Sequence, residues 1–252
     1  MLTTITLMLT TLVAVIVGVM IGAIGIGGVL LVPTLTYILG LGIHVAIATA
    51  MFTYLFSGAV GAFEYARQES IHWSMALWLC LGGMPGAYLG AAMTWVTPGV
   101  ILEGLIGLLV LLSGLQALRG PSDTAESVAR LSPIPLAVIG LVTGFGSSIT
   151  GTGGPLVLIP ILIWMQVPIL TAVGLSQVIQ IPIALLATTG NLMFGRIEWL
   201  IGIGVAVLLM LGVIVGARIA HRVSRVTLKR FIAVALLLVG TSMLVRTITT
   251  LV

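Results

Sequence analysis

The sequence predicts an all-α integral membrane protein made of two inverted-topology repeats, and three observations lead there. Of the 252 residues, 60% are hydrophobic and only 6% charged, whereas soluble domains carry about a quarter charged residues. Apolar runs long enough to cross about 30 Å of hydrocarbon recur from end to end. A shift of 126 residues, half the chain, brings the sequence into register with itself.

The repeat rests on landmarks that match without a gap. Gly25, Gly27 and Gly28 fall on Gly151, Gly153 and Gly154, and Ala46 falls on Ala172. Ile71 and Trp73 fall on Ile197 and Trp199, Gly86 and Gly90 on Gly212 and Gly216, and Gly114 on Gly240. Each half reads as a broken or re-entrant helical hairpin followed by about three full transmembrane helices.

In the first repeat, 1–118, an apolar stretch at 5–23 meets a glycine break and then a shorter stretch at 29–41. That shorter piece would span only about 20 Å as a helix. Full spans follow at 45–66, 73–96 and 100–118. The second repeat, 133–252, gives 133–149, a break, 155–166, and then 169–192, 199–218 and 229–246. Between them, 119–132 is the one clearly polar segment and reads as a linker. Residues 1–17 have no basic region before them, so no cleaved export signal is expected. Cys80, the single cysteine, lies in an apolar run and reads as packing, with no internal disulfide.

Charge sets the orientation. Five of the ten Lys and Arg residues lie between Arg218 and Arg230, while the equivalent stretch 92–104 has none and carries Glu103. Basic clusters beside spans mark cytoplasmic loops and anionic lipid. The two equivalent loops therefore belong on opposite sides, with both termini outside. Arg67, Arg119 and Arg130 also fall inside, whereas Arg196 and Arg246 run against the rule. The net charge of +4 is a topology signal and not a nucleic-acid footprint.

The chemistry concentrates at the two breaks, 22–28 and 150–155. Unwound backbone at membrane depth is tolerated where it lines a cavity or is covered by protein. A helix starting after such a break directs free N–H groups and a partial positive charge into the gap, which suits an anion without any side-chain cation. Pro155 fits a first helical turn. Candidate binding residues are therefore Gly25, Gly27, Gly28, Gly151, Gly153 and Gly154, with the hydroxyls of Ser147, Thr150 and Thr152. Ser148 adds another hydroxyl beside them. Thr49, Thr53 and Ser57 share a helix face, and Ser176, Gln177, Gln180 and Asn191 lie in the equivalent span. Glutamine in hydrocarbon is unfavourable unless it faces the bundle interior. Thr49, Ser176, Gln177, Gln180 and Asn191 join the candidates, set against plain interhelical hydrogen bonding.

Other features read as structural. Gly86–Gly90 and Gly212–Gly216 have the spacing of close helix contacts. Glu64 and Arg67 read as an interfacial pair. The tryptophans mostly sit near span ends, as anchors do. His44, His72 and His221 share no metal-ligand spacing, so no metal or cofactor is expected.

These residues also carry a resemblance. The first glycine motif with the run at 29–33, the stretch 46–49, and the second motif with Pro160 are similar to the TauE/SafE family of sulfite exporters. The stretches 172–176 and 195–199 and the pair Gly212/Gly216 extend the likeness over essentially the whole chain. It implies export of sulfite, sulfonates or related anions through a prokaryotic cytoplasmic membrane, with the six motif glycines lining the site. Leu175, where the family often has Thr, and Asn191, where it often has His, depart from the pattern and bear on which anion is carried.

Enzymatic function is disfavoured. Asp123 is the only Asp and lies in the linker, and no metalloprotease or nucleophile-turn motif occurs. The expected partners are a small anionic substrate and membrane lipid, with a homo-oligomer left open and no nucleic acid. Two rivals stand beside anion transport: a translocase for a phosphate-headgroup lipid carrier, and a passive anion channel.

Overall fold

Both glycine breaks end a helix in the computed structural model, which describes residues 4–25, 27–118, 132–220 and 225–251. The elements are α1 (Thr4–Ile24), α2 (Gly28–Ile38), α3 (Ile43–Ala66), α4 (Trp73–Val96), α5 (Gly99–Leu118), α6 (Pro133–Thr150), α7 (Pro155–Trp164), α8 (Ile169–Phe194), α9 (Trp199–Ala220) and α10 (Arg225–Leu251). No strand occurs among the described residues. Helices α1, α3, α4, α6, α8 and α9 are long and apolar enough to cross a membrane. Helices α5 and α10 contain shorter apolar stretches, Gly99–Leu115 and Leu237–Thr249. Apart from Ser132, the polar segment 119–132 lies outside the described residues.

Each break begins on a glycine in the left-handed region, where a Cβ is penalised. Gly25 has φ 77° and Gly151 φ 66°. The amides of Gly151 and Thr152 both turn back to the Ser147 carbonyl and close the end of α6. Helix α7 has 10 residues, about 15 Å, and covers half a bilayer. Helix α2 is equally short and irregular. It passes from 3-10 geometry at Gly28–Leu30 through one α turn to π geometry at Thr34–Ile38. Pro33, lacking an amide, lies where the pattern changes.

Close glycine contacts fix the directions of the helices. Gly18 and Gly22 of α1 press on the backbone at Leu209 and Val213 of α9, so these helices run parallel. Gly82, Gly86 and Gly90 of α4 press on Ala137, Leu141 and Phe145 of α6, again in parallel. Helices α3 and α8 are antiparallel, with Gly58 against Gln180 and Gly61 against Gln177. Helices α5 and α10 are antiparallel too, with Gly107 against Met243 and Gly114 against Leu237. It follows that α1 enters from the end holding the α8–α9 loop, and α6 from the opposite end.

These contacts repeat under the 126-residue shift. A Cβ on Gly86 would collide with the Leu141 carbonyl, and one on Gly212 would collide with the Val15 carbonyl. Gly90 on Phe145 and Gly216 on Val19 form a second matched pair, each again with no room for a Cβ. The small-residue pairs therefore serve close backbone approach, the contact that helices in lipid use for dispersion. Outward side chains such as Leu200 and Ile134, 86% and 77% exposed, form the apolar exterior.

Gly216→Val forces apart two backbones that have no slack, and about 1–3 kcal/mol of stability is lost. Gly204 meets nothing within 4 Å, so Gly204→Ala keeps or slightly raises stability. Unfolding temperatures in detergent check both.

Candidate functional site

Tyr54, at the middle of α3, joins the two breaks. Its hydroxyl donates to the Gly28 carbonyl at 2.5 Å. Its ring covers Gly153, where an added Cβ would lie 2.9 Å from the ring. Gly28 in turn faces the Thr152 carbonyl, and a Cβ there would lie 2.9 Å from that oxygen. The two loops thus cross beside one buried side chain. Gln180, the residue equivalent to Tyr54, closes the other side of the crossing. Its Nε2 donates to the Tyr54 carbonyl at 3.1 Å and to Ser57 Oγ at 3.0 Å.

Toward the end of α3 that holds Glu64 and Arg67, a second group forms around the first break. Gln177 Nε2 donates to the Ile21 carbonyl at 2.9 Å, and its Oε1 is buried without a partner. Tyr65 donates to the Gly22 carbonyl at 2.9 Å. Ser176 Oγ lies 3.4 Å from the place of a Gly25 Cβ, although its own proton goes to the Val173 carbonyl at 2.7 Å.

The second break offers donors. Gly153 and Gly154 have φ 80° and 113°, and α7 starts at Pro155. Among the described residues, the amides of Gly153, Gly154 and Leu156 have no hydrogen-bond acceptor. Ser147 Oγ is buried, unpartnered, and 4.0 Å from the place of a Gly154 Cβ. Thr150 donates to the Gly146 carbonyl at 2.6 Å and lies 3.1 Å from the Thr152 hydroxyl. Every hydroxyl and amide side chain among the candidates is 2% exposed or less. Unpaired buried groups cost about 1–3 kcal/mol each, so a cluster of them is held by the surrounding fold. Of the residues with charged side chains, only Glu64 is buried among those described.

Several of the expected residues stand apart from the crossing or are held in other ways. Thr49 and Asn191 stand at the far end of α3 and α8, with Asn191 roughly 20 Å along α8 from Gln177. Thr49 accepts from the Glu198 amide at 3.1 Å, and Asn191 Oδ1 accepts from Trp95 Nε1 at 2.9 Å. They tie helix ends together away from the crossing, and Asn191 Nδ2 is buried without a partner. Gly27 is right-handed, with φ −73°, and is required instead where it presses on the Val17 carbonyl of α1. Glu64 pairs with Arg218 at 3.7 Å, while Arg67 lies over the Phe63 ring, so the two do not pair with each other. Tyr54, Tyr65 and Ser57 are the additions to the site. Tyrosine at mid-span, away from the interfacial belt, is the sequence signal for the first.

A multi-pass helical protein whose helices break at mid-depth around buried neutral donors stands among the membrane transporters. The chain belongs to the TauE/SafE family: the family model described as "Sulfite exporter TauE/SafE" matches residues 10–243. It is similar to the "Probable membrane transporter protein YdhB" of Bacillus subtilis, 29% identical over 88% of this chain and 94% of that one. A "Probable membrane transporter protein" of Xylella fastidiosa is 28% identical over 73% and 74% of the two chains. The "Probable membrane transporter protein MJ0441" of Methanocaldococcus jannaschii is 27% identical over 67% and 66%. No solved structure matches the chain. The protein is a multi-pass transporter of the cytoplasmic membrane.

Tyr54→Phe keeps the ring on Gly153 but leaves the Gly28 carbonyl bare. Stability falls by about 1–3 kcal/mol, read as a lower unfolding temperature in detergent, while Tyr88→Phe, whose hydroxyl contacts only the Met193 sulfur among the described residues, changes it little.

Proposed function

We propose that this transporter exports a small sulfur-containing oxyanion, such as sulfite or a sulfonate, by secondary transport. The observation that carries the reading is the crossing of the two glycine breaks at Tyr54, with unengaged amides at the start of α7 and uncharged hydroxyls around them. Tyr54, Tyr65 and Gln177 take three carbonyls of the first break, and the amides of Gly153, Gly154 and Leu156 are left without an acceptor among the described residues. Donors without a resident cation suit an anion and do not trap it. The family's printed name supplies sulfite, and the relatives' names supply membrane transport. No resident charge compensates the cargo, so outward movement of a monovalent anion gains about 2.3 kcal/mol per 100 mV of inside-negative potential.

The opposite senses of α1 and α6 support reading the two halves, 1–118 and 133–252, as inverted repeats. The positive-inside tendency assigns the end holding Arg67 and Arg218 to the cytoplasm, with the α8–α9 loop outside. In a Cys80→Ala background, Gln68→Cys reacts with an impermeant maleimide only from the cytoplasmic face, and Arg196→Cys only from the outer face. Labelling of both from one face would overturn the orientation.

The function is tested by flux of sulfite, sulfoacetate, thiosulfate and sulfate into liposomes holding the purified protein. Saturable flux of one of them is expected, reduced at least tenfold in Gly153→Leu and partially in Gln177→Ala. Absence of flux for all four, with transfer of a polyprenyl phosphate between leaflets, would replace this reading with a lipid-headgroup translocase. Flux that never saturates would make it a channel.

A further inference from the structure

At the cytoplasmic end of α3 and α9 lies a cavity of about 420 Å³ lined by Glu64, Arg67, Gln68 and Arg218. Glu64 is 8% exposed. Its carboxylate stands 3.7 Å from the Arg218 guanidinium, whose side chain is 64% exposed. A charge-assisted hydrogen bond runs at about 2.7–2.9 Å, so this pair is loose. Arg67 has no carboxylate in reach among the described residues, and its guanidinium lies 5.6 Å from the Phe63 ring centroid. Two guanidinium groups and one carboxylate leave the cavity with a net charge of one positive.

The cavity adjoins the first break. Gly61, one turn inward from Glu64, carries the Gln177 side chain. Tyr65, the next residue after Glu64, donates to the Gly22 carbonyl. Ala217, the residue before Arg218, abuts Gly22 with its amide 2.8 Å from the place of a Cβ. The equivalent positions at the outer end carry none of this charge: under the 126-residue shift Glu64, Arg67, Gln68 and Arg218 fall on Gly190, Met193, Phe194 and Ala92. The feature is one-sided in a chain that otherwise repeats.

The geometry points to a receiving site for the transported oxyanion at the cytoplasmic face, in which Glu64 is a resident competitor for Arg218. With the site empty, Glu64 occupies Arg218. An arriving oxyanion takes the Arg218 fork and Arg67, displaces the carboxylate, and stands beside the first break. A guanidinium offers two parallel N–H donors to an oxyanion, a geometry a loose carboxylate contact at 3.7 Å does not use. This inference rests on the oxyanion cargo proposed above.

The test measures initial rates of sulfite uptake in everted vesicles, cytoplasmic face outward, and in right-side-out vesicles. Arg67→Gln and Arg218→Gln are each expected to raise KM at the cytoplasmic face by about threefold and the double variant by about tenfold. The KM at the outer face stays as in wild type. Raising the salt concentration raises the cytoplasmic KM of wild type more than that of the double variant. Glu64→Gln removes the competitor and lowers the cytoplasmic KM. An unchanged KM in the double variant, an equal rise at both faces, or a rise in Glu64→Gln would each overturn the inference while wild type still transports. If Arg218→Gln fails to reach the membrane, Arg67→Gln and the salt dependence of wild type decide between these outcomes. Should wild type carry no oxyanion at all, the cargo reading falls and this inference falls with it.

Discussion

Everything in this fold depends on satisfying backbone polar groups where helices stop inside a dry interior. Lipid offers no hydrogen bonds, so each carbonyl freed by a break needs a donor from the protein. The first break receives three from elsewhere in the chain: Gln177 on Ile21, Tyr65 on Gly22 and Tyr54 on Gly28. The second is closed by its own hairpin, through the Gly151 and Thr152 amides on Ser147. Beyond these, the amides of Gly153, Gly154 and Leu156 have no acceptor among the described residues. The anion proposed above would be held by these amides.

Much of the fold is legible in the sequence because it is written in glycine and proline. A left-handed cap at Gly25 and Gly151, a first-turn Pro155, and backbone contact at Gly86, Gly90, Gly212 and Gly216 each demand one residue type, and the sequence shows it. The helix ends follow to within a few residues from hydropathy and the 126-residue register. The crossing is less legible. Tyr54 is grouped with the hydrophobic residues in composition, yet its hydroxyl bonds the Gly28 carbonyl where the loops meet. Asn191 and Thr49 are polar residues in spans whose distance from the crossing sequence does not show; in the structure Trp95 donates to Asn191 Oδ1 and the Glu198 amide to Thr49. Gly27 stands out in the glycine motif, but close approach to Val17 and not torsion is what requires it.

The two halves are alike in backbone and unlike in side chains. Tyr54 and Gln180 occupy equivalent positions and meet each other, so one repeat contributes a ring and hydroxyl where the other contributes a carboxamide. Gln177 corresponds to Met51, and Ser147 to Ile21. Symmetry of the scaffold places one break in each half, and divergence of the side chains gives the first break three side-chain donors on its carbonyls.

The glycine contacts also clasp the halves together: α1 lies on α9 and α6 lies on α4, so each hairpin is held by a helix of the other half. A chain of half this length would leave the glycine face of its own first helix open to lipid. The tandem sequence supplies both partners of each contact within one polypeptide, so the two clasps form at a fixed one-to-one ratio and without waiting for a second chain.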